Sequence, residues 1–290
     1  MAGVCGPPPR PFYDNIDAMQ NYCFLNGEIK PLSEAKISIN DIGLLRGYGV
    51  YDGITAIGDR IFRFTDHWNR FVDGAHTLNL NIPITEEKCE KVLKELLVKN
   101  GFERSIIRLM LTGGETYGGI DYRFEEPTFY ILVEKWDPLP SETYSKGGKL
   151  VTYPFMRDMP LVKTTNYIRG VNLQNWRREE GALEILFVKD NEVTECATSN
   201  ICIVKDGKIL TPAEHVLKGI TLKVVSELAE VEEKLISEND LLGADEVFIT
   251  SSFKDIVPVT KVDDSVIGNG EVGPVTRGVM EAFAKVLKTG

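Results

Sequence analysis

The sequence predicts an α+β fold in two parts, on three observations. Strand-like runs with tight-turn signals alternate with amphipathic helical stretches over residues 22–133. A second set of short apolar strands, joined by Asp-Asn and Asp-Gly turns, crowds residues 149–211. Between them Asp137-Pro138-Leu139-Pro140-Ser141 breaks the composition with two prolines. The expected division is a small α+β N-terminal domain over 1–136, an interdomain linker over 137–147, and a larger domain with a mostly β core over 148–290.

Residues 1–20 are Pro-rich and read as a loose arm. Tyr22 to Ile29 reads as a hairpin, because Asn26-Gly27 tolerates the positive φ of a tight two-residue turn. Stretches 49–57 and 60–64 read as a second hairpin, turning at Gly58-Asp59. Thr65 and Asp66 offer caps for a helix that carries Trp68, Phe71, Ala75 and Leu78 on one face. Thr85 caps another helix, which Gly101 stops. Strands follow over 105–112 and 127–133, then over 149–155. A helix is expected over 166–180, and short strands over 185–189, 192–195, 200–204 and 208–211. A helix over 219–230, a strand over 246–250 and a closing helix over 274–288 complete the chain.

A net charge of −10 on 290 residues argues against nucleic acid or an anionic membrane as partner. No apolar run approaches the length of a membrane span, and the N-terminus shows no apolar signal core. An odd set of five cysteines without Cys-x-x-Cys fits unpaired thiols in a reducing cytoplasm. His67, His76 and His215 do not cluster with cysteines, so no metal site is expected.

The chemistry centres on Lys163, in Pro-Leu-Val-Lys-Thr-Thr-Asn-Tyr over 160–167. A lysine amine can condense with an aldehyde cofactor, and a buried carboxylate can keep a pyridine nitrogen protonated. Glu195, in Val-Thr-Glu-Cys-Ala-Thr-Ser-Asn over 193–200, supplies that carboxylate. A solitary lysine is ordinarily a solvated surface charge, so its company decides. That company is Ser-Ile-Asn-Asp-Ile-Gly-Leu-Leu-Arg-Gly-Tyr-Gly-Val-Tyr-Asp-Gly over 38–53, His67-Trp68-Asn69-Arg70, Gly219-Ile220-Thr221 and Thr250-Ser251-Ser252.

In this order and spacing, the chain from about residue 22 onward resembles the class IV, or fold type IV, aminotransferases that use pyridoxal phosphate. Branched-chain and D-amino-acid aminotransferases and aminodeoxychorismate lyases share that family. The resemblance implies a D-amino-acid aminotransferase-like fold and pyridoxal 5′-phosphate as cofactor. It implies Lys163 as the catalytic residue and Glu195 at the ring nitrogen. Arg70, Asn200, Gly219, Ile220, Thr221, Ser251 and Ser252 complete the implied cofactor site, where a guanidinium, hydroxyls and a helix N-terminus suit a phosphate. His67 would pack against or orient Arg70.

Arg46, with Arg169 behind it, is the candidate for the substrate carboxylate, and Tyr48, Tyr51, Tyr167 and Thr116 for the rest of the substrate pocket. The chain departs from the family at four places. Leu222 stands where many members carry Arg, and Asp52 where many carry Glu. The loop Glu115-Thr116-Tyr117-Gly118-Gly119 lacks the basic element of D-amino-acid enzymes. Tyr167 also follows Lys163 one residue closer than is usual in branched-chain enzymes.

The expected activity is amino transfer between an amino acid, with aliphatic side chains favoured and handedness open, and a 2-oxo acid such as 2-oxoglutarate. A homodimer is implied. The alternatives are an aminodeoxychorismate lyase of the same fold and, last, a non-catalytic binding protein.

Overall fold

The computed structural model describes residues 21–289, so the arm expected over 1–20 lies outside the described residues. Strands β1 (Tyr22–Leu25) and β2 (Glu28–Pro31) turn over Asn26 and Gly27, both at positive φ. A short helix that the sequence reading did not anticipate, α1 (Ile42–Arg46), starts where the Asp41 carboxylate accepts from Gly43 N at 2.7 Å. It ends on left-handed Gly47. Then come β3 (Gly49–Ile57), β4 (Arg60–Ile61), α2 (Phe64–Thr77), α3 (Glu86–Asn100) and β5 (Arg104–Thr112). The small ribbon β6 (Thr116–Gly118) and β7 (Asp121–Tyr122) leads into β8 (Thr128–Lys135).

These strands form a six-stranded sheet in the order β2-β1-β8-β5-β3-β4. Its core joins Ile54, Ile107 and Phe129 of the sheet to Phe71 of α2 and Leu93 and Leu96 of α3. Each such side chain, removed from water, contributes about 1.5–3 kcal/mol. The Thr85 cap and the Gly101 stop of α3 stand as the sequence indicates. The caps expected for α2 do not. Phe64 is buried and opens the helix after left-handed Arg63, while the Asp66 carboxylate pairs with Arg63 and Lys223 instead.

Helix α4 (Ser141–Lys146) occupies part of the 137–147 stretch, and Tyr144 Oη donates to Lys254 O at 3.2 Å. Strand β9 (Gly148–Pro154) follows. The helix expected over 166–180 is broken into α5 (Ile168–Asn172) and α6 (Gln174–Glu179). Thr165 is bonded to the backbone of β3, so the chain cannot coil until it has passed Tyr167.

Four strands then run β10 (Glu184–Lys189), β11 (Glu192–Cys196), β12 (Asn200–Lys205) and β13 (Lys208–Pro212). After α7 (Ile220–Leu228) come β14 (Val231–Lys234), β15 (Ile236–Ser237) and α8 (Glu238–Leu242). The chain closes through β16 (Glu246–Ser251), β17 (Asp255–Val262), β18 (Ser265–Val266) and α9 (Pro274–Thr289). The ten-stranded second sheet runs β14-β13-β12-β16-β17-β9-β10-β11-β15, with β18 paired to β17. Strands β10, β12 and β16 read as near-continuous apolar runs because both faces are covered there. Helices α7 and α9 cover one of those faces through Val225, Val279 and Phe283.

Candidate active site

The segment after β9 crosses to the first sheet and pairs with β3. Tyr51 N donates to Lys163 O at 2.9 Å, and Thr165 N donates to Gly49 O at 2.9 Å. Thr165 Oγ1 donates to Gly47 O at 2.9 Å. This pairing sets Lys163 Nζ 4.6 Å from the centre of the Tyr51 ring. Burial and then the Arg70 charge push the Lys163 amine down to about 7.

Lys163 lines a cavity of 390 Å³ between the two sheets. Glu195 lines it too, from β11, and is buried. Its Oε1 accepts from Arg157 Nε at 2.5 Å and its Oε2 from Leu217 N at 2.9 Å. Burial raises the Glu195 carboxyl above its ordinary range, and Arg157 limits the rise.

Arg70 reaches the cavity from α2, where Asp52 of β3 braces it. Arg70 Nε and Nη2 donate to the two Asp52 oxygens at 2.8 Å each, and His67 Nδ1 lies 2.7 Å from Oδ1. Asp52 is fully buried, which opposes its charge, but Arg70 and His67 outweigh burial and hold the carboxyl well below its usual range. Arg70 Nη1 donates to Lys218 O at 3.1 Å, which ties the guanidinium to the approach of α7. One N–H on each Nη atom remains for a ligand.

Helix α7 brings its N-terminus to the cavity through Gly219, Ile220 and Thr221. Asn200 Nδ2 donates to Leu217 O at 2.7 Å and draws this turn against β12. A Cβ on Gly219 would stand 1.9 Å from Asn200 Oδ1, so only glycine permits the approach. From the other side, the end of β16 delivers Thr250 and Ser251, and Ser252 follows directly. Thr250 Oγ1 is buried without a partner among the described residues. A guanidinium fork, free helix amides and hydroxyls in one cavity suit a phosphate, and an amine near neutrality suits an aldehyde. The residues present therefore fit pyridoxal phosphate.

Of the expected site residues, Arg70, Lys163, Glu195, Asn200, Gly219, Ile220, Thr221, Ser251 and Ser252 share this cavity with Tyr51 and Tyr167. Tyr51 Oη donates to Tyr167 Oη at 2.7 Å. The structure places the other substrate candidates elsewhere. Arg46 is exposed at the end of α1 and donates to Leu45 O at 2.8 Å. Gly47 beside it serves as the helix stop and does not line the first cavity. Tyr48 Oη donates to Leu78 O, with its ring against Tyr122. Arg46, Tyr48 and Arg169 line a second cavity of 660 Å³, which shares Arg157, Tyr167 and Ala197 with the first. Thr116 lies on β6, where its N–H donates to Asn40 O.

Among the residues lining the first cavity that sequence reasoning passed over, four carry a charge or a ring. Arg157 was visible only as a neighbour of Lys163. Arg108 faces the cavity because it pairs with Gly53 across β3 and β5, a register no short motif announces. Phe253 and Lys254 follow directly on the Thr250-Ser251-Ser252 motif. Lys254 Nζ reaches the buried Glu184 at 2.5 Å, Thr198 Oγ1 at 2.6 Å and Ser199 Oγ at 3.2 Å.

The family model for amino-transferase class IV matches residues 49–262. The chain belongs to the class IV aminotransferase family. Members of this family are pyridoxal phosphate-dependent enzymes, and so is this aminotransferase. It is similar to a Methanocaldococcus jannaschii protein provisionally named a branched-chain-amino-acid aminotransferase, at 36% identity over 91% of this chain and 95% of that protein. It is 31% identical to the D-alanine aminotransferase of Staphylococcus haemolyticus, over 92% of this chain and 98% of the relative. Among solved structures, the Escherichia coli branched-chain amino acid aminotransferase matches at a TM-score of 0.84. That match has 25% identity and covers 92% of this chain and 94% of the other. A second branched-chain amino acid aminotransferase, solved with pyridoxamine 5′-phosphate, matches at a TM-score of 0.85 and 28% identity, over 92% of this chain and 94% of the other.

Proposed function

We propose that this aminotransferase moves an amino group between an aliphatic amino acid and a 2-oxo acid such as 2-oxoglutarate, by a ping-pong route with Lys163 as its catalytic residue. The observation that carries the reading is an amine near neutrality in one cavity with a buried carboxylate and an anion cradle. Bound pyridoxal phosphate supplies an aldehyde and a ring that accepts the electrons released at the substrate Cα. Lys163 would hold the cofactor covalently and, once displaced by substrate, carry the proton taken from that Cα. Glu195, steadied by Arg157 and the Leu217 amide, would face the ring nitrogen. Arg70, the first amides of α7 and the hydroxyls of Thr221, Ser251 and Ser252 would hold the phosphate.

For the substrate carboxylate, Arg108 takes the place of Arg46. It lines the same cavity as Lys163, and its Nε is committed to Glu134 at 2.6 Å while its Nη atoms have no protein partner among the described residues. The names of the relatives, branched-chain and D-alanine, both describe aliphatic side chains.

The test is a set of half-reactions with L- and D-amino acids. An accepted amino acid added alone should bleach the visible cofactor absorbance once per site, and a 2-oxo acid should restore it. Repeated release of pyruvate from a single substrate without bleaching would identify a lyase and sink the reading.

We also infer a homodimer. Ile120 and Ile168, on the second cavity, are each 77% exposed, and the segments around it carry Leu44, Leu161 and Val171 at 65–69%. Such a patch is typical of a surface that another chain covers. A cytoplasmic setting is supported by Cys23, Cys89, Cys196 and Cys202, all buried free thiols. Among the described residues no helix is long and apolar enough to cross a membrane.

A further inference from the structure

Strands β3 and β5 present Tyr51 opposite Met110 and, two residues along on the same face, Gly53 opposite Arg108. All four line the first cavity. The strip they make is notched, because Gly53 brings no side chain. Phe253 fills the notch. A Cβ built on Gly53 would lie 2.5 Å from Phe253 Cζ and 2.9 Å from Cε1, so the ring rests directly on the β3 backbone. The same ring lies 5.0 Å from the Arg108 guanidinium.

The main chain under this ring is held from both halves of the molecule. Trp136 Nε1 donates to Phe253 O at 2.9 Å, and Arg104 grips Asp255 through bonds of 3.0 and 2.6 Å. Lys254 is anchored on Glu184 in the other direction. An aromatic ring fixed through its face and its backbone yields little to a bulky ligand.

We propose that Phe253 is a specificity-determining residue, a fixed ring seated in the Gly53 notch that sets the largest side chain the cavity admits. Aliphatic side chains fit in front of it and aromatic ones do not. The identity of the substrate rests on the transaminase reading above; the wall itself can be measured apart from it.

The experiment compares wild type with Phe253→Ala, Phe253→Leu, Gly53→Ala and the Gly53→Ala/Phe253→Ala double variant, each loaded with pyridoxal phosphate. The first readout is kcat/KM for alanine, valine, leucine and phenylalanine of the accepted hand. Phe253→Ala should raise the phenylalanine-to-valine ratio about tenfold or more, and Phe253→Leu by less. Gly53→Ala displaces the ring and should lower the leucine value, and that loss should vanish in the double variant.

The second readout needs no turnover. It is the thermal shift given by acetate, butyrate, 4-methylvalerate and 3-phenylpropionate, in which Phe253→Ala and Phe253→Leu should gain the last acid. An unchanged size profile in both Phe253 variants, or a Gly53→Ala loss that persists in full in the double variant, overturns the proposal. Should wild type turn over no amino acid, the transaminase reading falls and the acid series alone decides the role of Phe253.

Discussion

An ordinary lysine titrates near 10.4, so at pH 7 only about 4 amines in 10,000 are neutral and able to attack a carbonyl. In the cofactor-free protein Lys163 is pushed to about 7, first by burial and then by the Arg70 charge, against the pull of Asp52. About half of the molecules should then carry a neutral amine at pH 7, roughly a thousandfold enrichment over a solvated lysine. Competitive acetylation of stripped protein from pH 5 to 11, read by peptide mass spectrometry against a model amine, measures this fraction directly. The labelling of Lys163 should rise with pH and inflect near 7.

Arg70→Met sharpens the test. It removes a repelling cation and leaves Asp52 with His67 as its remaining partner, and both changes favour the charged amine, so the inflection should move up. It should still fall short of 10.4, because burial, the larger cause, remains. Stability carries the same sign. Between about pH 7 and 10.4 the unfolded chain holds a proton that folded Lys163 does not, so this group makes folding more favourable as pH rises through that window. An inflection near 10 in wild type, or a downward move in Arg70→Met, would refute the reasoning.

Two further outcomes follow from the buried charges. Lys254→Met should cost about 3–5 kcal/mol in urea unfolding, since Glu184 is left buried without its cation, and adding Glu184→Gln should recover most of the loss. Recovery of nothing would show that the pair does not act as a unit. Arg157→Met leaves the burial of Glu195 unopposed by its main counter-charge, so the carboxyl protonates more readily. The acid limb of the kcat profile should shift to higher pH, and an unmoved limb would separate Arg157 from the function of Glu195.

What the sequence made legible follows contact range. The hairpin at Asn26-Gly27, the caps of α3 and the strands 185–211 depend on neighbours a few residues away, and these stand as read. The helix over 166–180 failed because Thr165 is claimed by Gly47 and Gly49, more than a hundred residues earlier in the chain. Lys163, Glu195, Arg70 and the Gly219 turn could be singled out because each sits in a short stretch whose chemistry is distinctive by itself, and the fold brings them to one cavity. Arg46 and Arg108 show the limit. A glycine beside an arginine suggested the cavity of Lys163, whereas Arg46, at the Gly47 stop of α1, lines the second cavity. Arg108 looks like any alternating strand residue until the β3–β5 register sets it beside Gly53.

The turn over 251–255 joins these two lessons. Its hydroxyls were readable as a motif, but its position depends on Thr55, Arg104 and Trp136 in the first half and on Glu184 in the second. Loss of contact between the sheets would therefore release the Ser251 and Ser252 hydroxyls and the Phe253 ring together. On the roles proposed above, cofactor affinity and side-chain selectivity share one piece of backbone, and a variant that loosens it should degrade both at once.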